Sequence, residues 1–483
     1  MLLGNGSPPS NRVEHRADAS SIGTIASLGK TVWSSARLSD HTSPVPATSF
    51  AYRALIRAAT RLVPALARFS PKLARGHRGR AGSVERLSAW GRAHRDRSRR
   101  LVWVHAPSVG EGLQAAAVIE RLRARHPGWQ IVYTHFSPSA EALAAGLPVD
   151  VADYLPYDLP SAAEALLDTL WPDLLVFAKL DLWPELASRA AARGVTVGLI
   201  AATVSPVSSR LRWPARGLQR PGYAALTAAG AISDGDAARL VKLGVAADRI
   251  EVLGDPRFDS VLARVARVPP DEPLLASGRG APTLVAGSTW PLDEAVVLEA
   301  FASVRRRRPD ARLILAPHEP TTSHLGAVET LAARLGLPMP VRLSAATGPV
   351  PLLLVDRVGV LATLYGAGTM AFVGGAFSRA GLHSVLEPAA WGLPVVFGPW
   401  WSASREAGLL IEADAAVGLP PRSQGAGAAL SRLWLSWLED DEKRAAAGGR
   451  ALEVVTSGRG AADRQAELVE RLAISDQRPA EFS

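Results

Sequence analysis

The chain has 483 residues, too many for one ordinary hydrophobic core, and 48% apolar content with 42 glycines and 36 prolines describes a packed, turn-rich protein of two domains. It contains no cysteine, which excludes disulfides and thiolate-held metals and agrees with a reducing compartment. The net charge of +9 is local: residues 51–100 hold fourteen Arg or Lys against two acids, and the rest of the chain has three more acids than bases.

Residues 1–48 are rich in Ser, Thr, Pro and Asn without periodicity, and are expected to be a disordered extension or the product of an upstream start codon. No apolar core follows a basic start there, so they do not form a secretory signal peptide. Residues 49–100 are expected to be a basic, amphipathic, membrane-associating segment. Arg53, Arg57, Arg61 and Arg68 recur at spacings of four, four and seven, while Leu55, Ala59, Leu62, Leu66 and Phe69 fall on another face. No uncharged run approaches the ~20 residues that span a bilayer. One reading is an interfacial helix on anionic lipid, kinked or interrupted at Pro64. The other is a solvated helix face docked on the first domain. Sparse aromatic residues and the lack of a recognised motif speak against nucleic acid.

From Leu101 to Gly254 strand and helix patterns alternate. Strands are predicted over Leu101–Ala106, Gln130–His135, Asp173–Leu180, Val195–Ala202 and Arg249–Gly254, and helices over Leu113–Arg125, Ser161–Leu170, Pro184–Arg193 and Asp234–Leu243. A Pro- and Gly-rich stretch, Ser260–Pro282, marks a boundary, with a first domain over 101–265 and a second over 266–472. The second series of strands is Thr283–Ser288, Arg312–Pro317, Pro351–Val355, Met370–Gly374 and Pro394–Phe397. A helical stretch, Gly427–Leu472, and a polar tail over 473–483 follow. The fold class expected is α/β, two doubly wound Rossmann-like domains whose strand ends face a central cleft that holds the ligand.

Two segments carry candidate chemistry. In Leu101–Glu111 an apolar run breaks at Pro107, passes Ser108 and turns at Gly110, which presents Glu111 at the mouth of a sheet beside a helix N-terminus. A carboxylate there is held ionised by the helix dipole and either accepts a proton or only stabilises its own helix. In the second, Met370–Gly375 ends a strand in the paired glycines Gly374 and Gly375 and leads to Gly381-Leu-His-Ser-Val-Leu-Glu-Pro388. The glycines let phosphate oxygens approach the backbone, and N–H groups near them and at the start of the helix after Ser384 suit those oxygens. Glu387 either receives a ribose diol or closes a capping box with Ser384. His318, after the strand that ends in Pro317, either donates to the phosphate or is bonded locally. No spaced metal-ligand set is evident, so no metal is expected, and Asp234-Gly-Asp236 opens a helix. The phosphate loop, the nicotinamide fingerprint and the Gly-x-Ser-x-Gly elbow are absent.

These segments, with Tyr154-Leu-Pro-Tyr-Asp158, Asp181-Leu-Trp-Pro184, Gly254-Asp-Pro-Arg-Phe-Asp259, Ala286-Gly-Ser-Thr289, Pro317-His-Glu319, Val373-Gly-Gly375 and Val396-Phe-Gly-Pro399, occur in one order from about Tyr52 to Gly458. In that order they resemble the 3-deoxy-D-manno-octulosonic acid (Kdo) transferases of lipopolysaccharide synthesis. The resemblance implies a GT-B glycosyltransferase with CMP-Kdo as donor substrate, no further cofactor, and a lipid A precursor of the lipid IVA type as acceptor, at the cytoplasmic face of the bacterial inner membrane. It implies that Glu111 is the catalytic base and that Glu387 lies at the cytidine nucleotide. Ser108, Gly110, Pro317, His318, Gly374, Gly375, His383 and Ser384 would line the substrates.

The chain departs from the family pattern at several positions. Ser384 and Asp255 stand where asparagine is usual, Lys179-Leu-Asp181 replaces an acidic Glu-x-Glu, and Ala201 and Thr203 stand in an Asn-Ala-Arg stretch. Two alternatives share the expected architecture: another GT-B enzyme, such as a nucleotide-sugar epimerase or a UDP-sugar transferase, and a membrane-associated nucleotide-binding protein without catalysis.

Overall fold

The computed structural model describes residues 46–378 and 381–475. The readings of residues 1–45 and of the tail beyond 475 lie outside them. The apolar runs form two parallel seven-stranded sheets. The first contains β1 (Leu101–His105), β2 (Gln130–His135), β3 (Val151–Tyr154), β4 (Leu174–Ala178), β5 (Thr196–Ala202), β6 (Ala228–Ala231) and β7 (Ile250–Val252), in the order β3-β2-β1-β4-β5-β6-β7. The second contains β8 (Thr283–Thr289), β9 (Arg312–Pro317), β10 (Val341–Arg342), β11 (Leu352–Leu354), β12 (Met370–Val373), β13 (Val395–Phe397) and β14 (Ala416–Gly418), in the order β10-β11-β9-β8-β12-β13-β14. Four strands have no counterpart in the sequence reading: β3, β6, β10 and β14. Three of them are short sheet edges, and β6 is the Ala-Gly run Ala228–Ala231, so none has the apolar alternation that signals a strand.

Both faces of each sheet are covered, which is why the central strands read as continuous apolar runs. Along β1, Leu101 and Trp103 pack with Leu87 and Leu166 on one side, while Val102 and Val104 pack with Ala115 and Ile119 on the other. The strand order reverses between β1 and β4 in the first sheet and between β8 and β12 in the second. At such a reversal adjacent connections leave on opposite faces, and the opening between them is the ligand position of doubly wound sheets.

The expected division at residue 265 is crossed twice. The helix Pro256–Ala266, placed by sequence mostly in the first domain, buries Phe258 and Val261 with Val373, Leu386 and Phe397 of the second. The final helix, Ala461–Ile474, assigned to the second domain as far as residue 472, buries Ala466, Leu468, Val469 and Leu472 with Val102 and Val104 of the first. A helical period shows that one face is buried and carries no information about which sheet buries it.

Ahead of β1 lie the helices Phe50–Leu66, Pro71–Arg80 and Ser83–His94. Pro64 does not interrupt the first of them; it lies two residues before the helix end, so it forfeits one i→i−4 bond, to the Thr60 carbonyl, and little helix follows it. Thr48 and Arg53 both bond Glu185, Arg53 at 2.9 Å, and the Tyr52 hydroxyl donates to Asp158 at 2.7 Å. Leu87 of the third helix is fully buried, so residues 49–100 are in part a structural component of the first domain. Beyond Arg53 the helix presents Leu55, Leu62, Leu66 and Phe69, which are 54–87% exposed, together with exposed Arg57, Arg61 and Arg68.

Candidate functional site

Glu111 stands in the first turn of the helix Val109–Arg125, directly after β1, and Lys179 follows β4, so the two flank the order reversal of the first sheet. The Lys179 ammonium donates to Glu111 Oε1 at 2.9 Å, and the Ser108 hydroxyl donates to Oε2. Burial of the Glu111 carboxyl favours the neutral acid, but Lys179 and Ser108 outweigh it and hold the group below the usual carboxylate range. Glu111 is therefore held in its ionised form, with Lys179 and Ser108 as the partners that do so. Ser108 is the N-cap by position, yet its hydroxyl makes no backbone cap and is spent on Glu111. Gly110 is exposed in the same turn with open space where a Cβ would stand.

A second set of polar groups lies beside this pair. His105, wholly buried at the end of β1, bonds the Thr134 carbonyl through Nδ1 at 3.0 Å, and its Nε2 is 3.8 Å from Asp181. Arg210 reaches Asp181 at 3.4 Å. Burial raises the Asp181 carboxyl, and His105 and Arg210 bring it below its ordinary value. Lys179, Ala201 and Ser288 all have left-handed backbones, φ 64, 50 and 53°, at or just beyond the C-terminal ends of β4, β5 and β8. Side chains with a Cβ rarely adopt that conformation, and it clusters at functional sites.

In the second sheet Trp290 follows β8, His318 follows β9, and Gly374 and Gly375 follow β12. Three aromatic rings stack there: His318 lies 5.0 Å from Trp290 and 4.3 Å from His383. Trp290 Nε1 donates to His383 Nε2 at 3.2 Å, so the neutral His383 ring carries its proton on Nδ1. Burial, then the neighbouring His318, push the His383 imidazole down to about 4. Pro317 is buried as the last residue of β9, and Ser384 is exposed.

The paired glycines do something other than expected. The Gly374 N–H bonds the Gly287 carbonyl at 2.9 Å, and the Gly375 N–H bonds Asp293 Oδ2 at 2.9 Å, so both donors are spent inside the protein. Glycine is needed at 374 because a Cβ would strike the Ser288 carbonyl, and at 375 because φ is 98°. The capping box between Ser384 and Glu387 does not form. The helix starts at Leu386 with Val385 as its N-cap, and Glu387 takes a 2.7 Å ion pair from Arg264 of the helix Pro256–Ala266. Burial raises the Glu387 carboxyl, and Arg264 only partly opposes it.

That helix also carries Arg257, seven residues earlier, which bridges Asp255 at 2.6 Å to Glu406. Asp255 receives Gln114 from the Glu111 helix at 3.1 Å. Polar contacts thus connect the helix bearing Glu111 to the helix whose Arg264 holds Glu387. The sequence reading missed Trp290, Asp293 and Arg264. Trp290 had a usable signal, its position after an apolar run that ends in Ser288-Thr289; Arg264 had none, being one of many arginines on helix faces.

A sequence profile described as "3-Deoxy-D-manno-octulosonic-acid transferase (kdotransferase)" matches residues 77–260. The 3-deoxy-D-manno-octulosonic acid transferase of Bordetella pertussis is 31% identical over 340 residues, 66% of this chain and 76% of the relative. That of Haemophilus influenzae is 24% identical over 381 residues, 76% of this chain and 86% of the relative. Among solved structures, the UDP-GlcNAc 2-epimerase from Neisseria meningitidis bound to UDP-GlcNAc matches with a TM-score of 0.54 at 12% identity, covering 74% of this chain and 99% of that one. At that identity the likeness is one of fold: two doubly wound α/β domains.

Proposed function

The chain belongs to the 3-deoxy-D-manno-octulosonic acid transferases, and from that premise we propose that it moves Kdo from CMP-Kdo to a hydroxyl of a lipid A precursor, with Glu111 as the base. The observation that carries the mechanism is the ionised Glu111 carboxylate at the order reversal of the first sheet. As the acceptor oxygen attacks the anomeric carbon, Glu111 takes its proton, and the bond from that carbon to the phosphate breaks with its electron pair leaving on CMP. With the glycine N–H groups already spent, the Nδ1–H of His383 is the donor we assign to the departing phosphate, and Glu387 receives the ribose hydroxyls in place of Arg264.

The acceptor is amphiphilic, and the exposed Leu55, Leu62, Leu66 and Phe69 beside Arg57, Arg61 and Arg68 support docking on an anionic leaflet, here the cytoplasmic face of the inner membrane. Among the described residues no helix is long and apolar enough to cross a membrane. Arg53 is excluded from this surface, since it is held by Glu185. An epimerase would need no lipid. The experiment is therefore CMP release from CMP-Kdo with and without a lipid A precursor: release that depends on the precursor, with a matching mass gain on it, supports transfer, and release indifferent to it refutes transfer.

A further inference from the structure

We infer that Lys179 receives the carboxylate of the Kdo donor, so that the base and the substrate's own acid group share one cation in the reacting complex. The inference deepens the reading of Glu111 as base and rests on it.

An ulosonic acid bears its carboxylate on the anomeric carbon itself. The attacking oxygen must approach that carbon to about 3–3.5 Å, and the base must lie within about 2.6–3.2 Å of the same oxygen. Two carboxylates, Glu111 and that of the sugar, therefore come within several ångströms of each other. Like charges at such a distance raise each other's proton affinity, and a base that is protonated cannot act. A cation between them removes the conflict.

Lys179 has the geometry for that task. Its ammonium is 2.9 Å from Glu111 Oε1, just beyond the strand that neighbours β1 across the order reversal. An ammonium has three donors, and this side chain is 42% exposed, so a second anion can approach it while Glu111 keeps the first contact. Arg210, the cation of the adjoining cluster, pairs with Asp181, which also faces His105. The backbone supports a functional reading too. Lys179 has φ 64°, a strained conformation for a residue with a Cβ, while its N–H still bonds the Ile200 carbonyl at 2.8 Å.

The chemical step is unchanged in balance. The acceptor oxygen bonds to the anomeric carbon, its proton passes to Glu111, and the phosphate of CMP leaves with the electron pair. Lys179 neither gains nor loses a proton; it is a substrate-binding group that also keeps Glu111 ionised.

The test compares CMP, which lacks the sugar acid, with CMP-Kdo, by titration calorimetry without acceptor on the parent, Lys179→Met and Lys179→Arg proteins. Methionine keeps the Cβ and the stem, so the backbone strain is unaltered, and thermal unfolding checks that each variant is folded. The expected result is CMP-Kdo binding weakened at least tenfold in Lys179→Met, CMP binding unchanged, most of the loss restored by arginine, and a matching rise in KM for CMP-Kdo. Equal effects on both ligands, or no effect on either, overturn the inference. The reading of Glu111 fails in a different assay: if Glu111→Gln transfers Kdo at the parent rate, the base is another group, whatever the two ligands show with Lys179→Met.

Discussion

The ion pair between Arg264 and Glu387 separates a nucleotide-binding carboxylate from one that only joins two helices. Burial pushes the Glu387 carboxyl up, and Arg264, 2.7 Å away, is the group that opposes it. Replacing Arg264 by glutamine removes the opposition, so the pKa of Glu387 rises further. Under the proposed nucleotide role the form that accepts ribose hydroxyls is the carboxylate, and a higher pKa depletes that form as pH falls. CMP affinity of Arg264→Gln should therefore drop more steeply than that of the parent between neutral and mildly acid pH. Glu387→Gln loses the charge-assisted bonds at every pH, about 1.5–3 kcal/mol, or roughly 10- to 150-fold in Kd, and its pH slope should flatten. The effect on stability is small, because Arg264 is 40% and Glu387 23% exposed. A pair so open to solvent contributes at most ~1 kcal/mol, a few degrees in Tm. Titration calorimetry with CMP at both pH values, with thermal unfolding of the same preparations, decides. Parent-like CMP affinity in Glu387→Gln together with a Tm loss above ~10 °C would refute the reasoning.

Other predictions follow from the stacked rings and the exposed helix. His383 titrates at about 4 when folded against ~6.5 when unfolded, so it contributes stability above about pH 6.5 that is lost as pH falls toward 4. His383→Gln should remove up to ~3 kcal/mol of that acid sensitivity, read as a smaller shift of the urea midpoint between about pH 7 and about pH 4.5. Replacing Arg57, Arg61 and Arg68 together by glutamine should release the enzyme from phosphatidylglycerol vesicles, since each arginine near an anionic surface contributes about 1 kcal/mol. Turnover on detergent-dispersed acceptor should change little; a variant that sediments with vesicles as the parent does would show that the contact lies elsewhere.

The sequence made the alternation of strands, the two candidate glutamates and their loops legible, because each depends on a local pattern: an apolar run, then a break, then a helical period. Contacts set by strand order were not legible. Lys179 meets Glu111 only because β4 lies beside β1, and nothing between residues 111 and 179 encodes that neighbourhood. The same holds for Arg264 and Glu387, 123 residues apart, and for the final helix, which returns across the second domain to close the first core. The N–H groups of Gly374 and Gly375, expected to face a phosphate, are spent inside the protein for a related reason. A Gly-Gly pair after a strand suits both an anion cradle and a close backbone crossing, and the Asp293 carboxylate that claims the Gly375 N–H lies 82 residues away. Arg53 belongs to the arginine stripe by spacing, and only its partner, the buried Glu185, shows that it is part of the scaffold.

The central claim is that Glu111 removes the proton from the acceptor hydroxyl during Kdo transfer. The most direct measurement is kcat for transfer from CMP-Kdo to a lipid A precursor by Glu111→Gln, with CMP affinity and Tm measured on the same protein. A general base supplies ~10²–10⁴ in rate, so kcat should fall by that factor while CMP affinity and Tm stay near those of the parent. A fall of less than about tenfold in the folded variant would contradict the account and leave Glu111 as the partner of Lys179 alone.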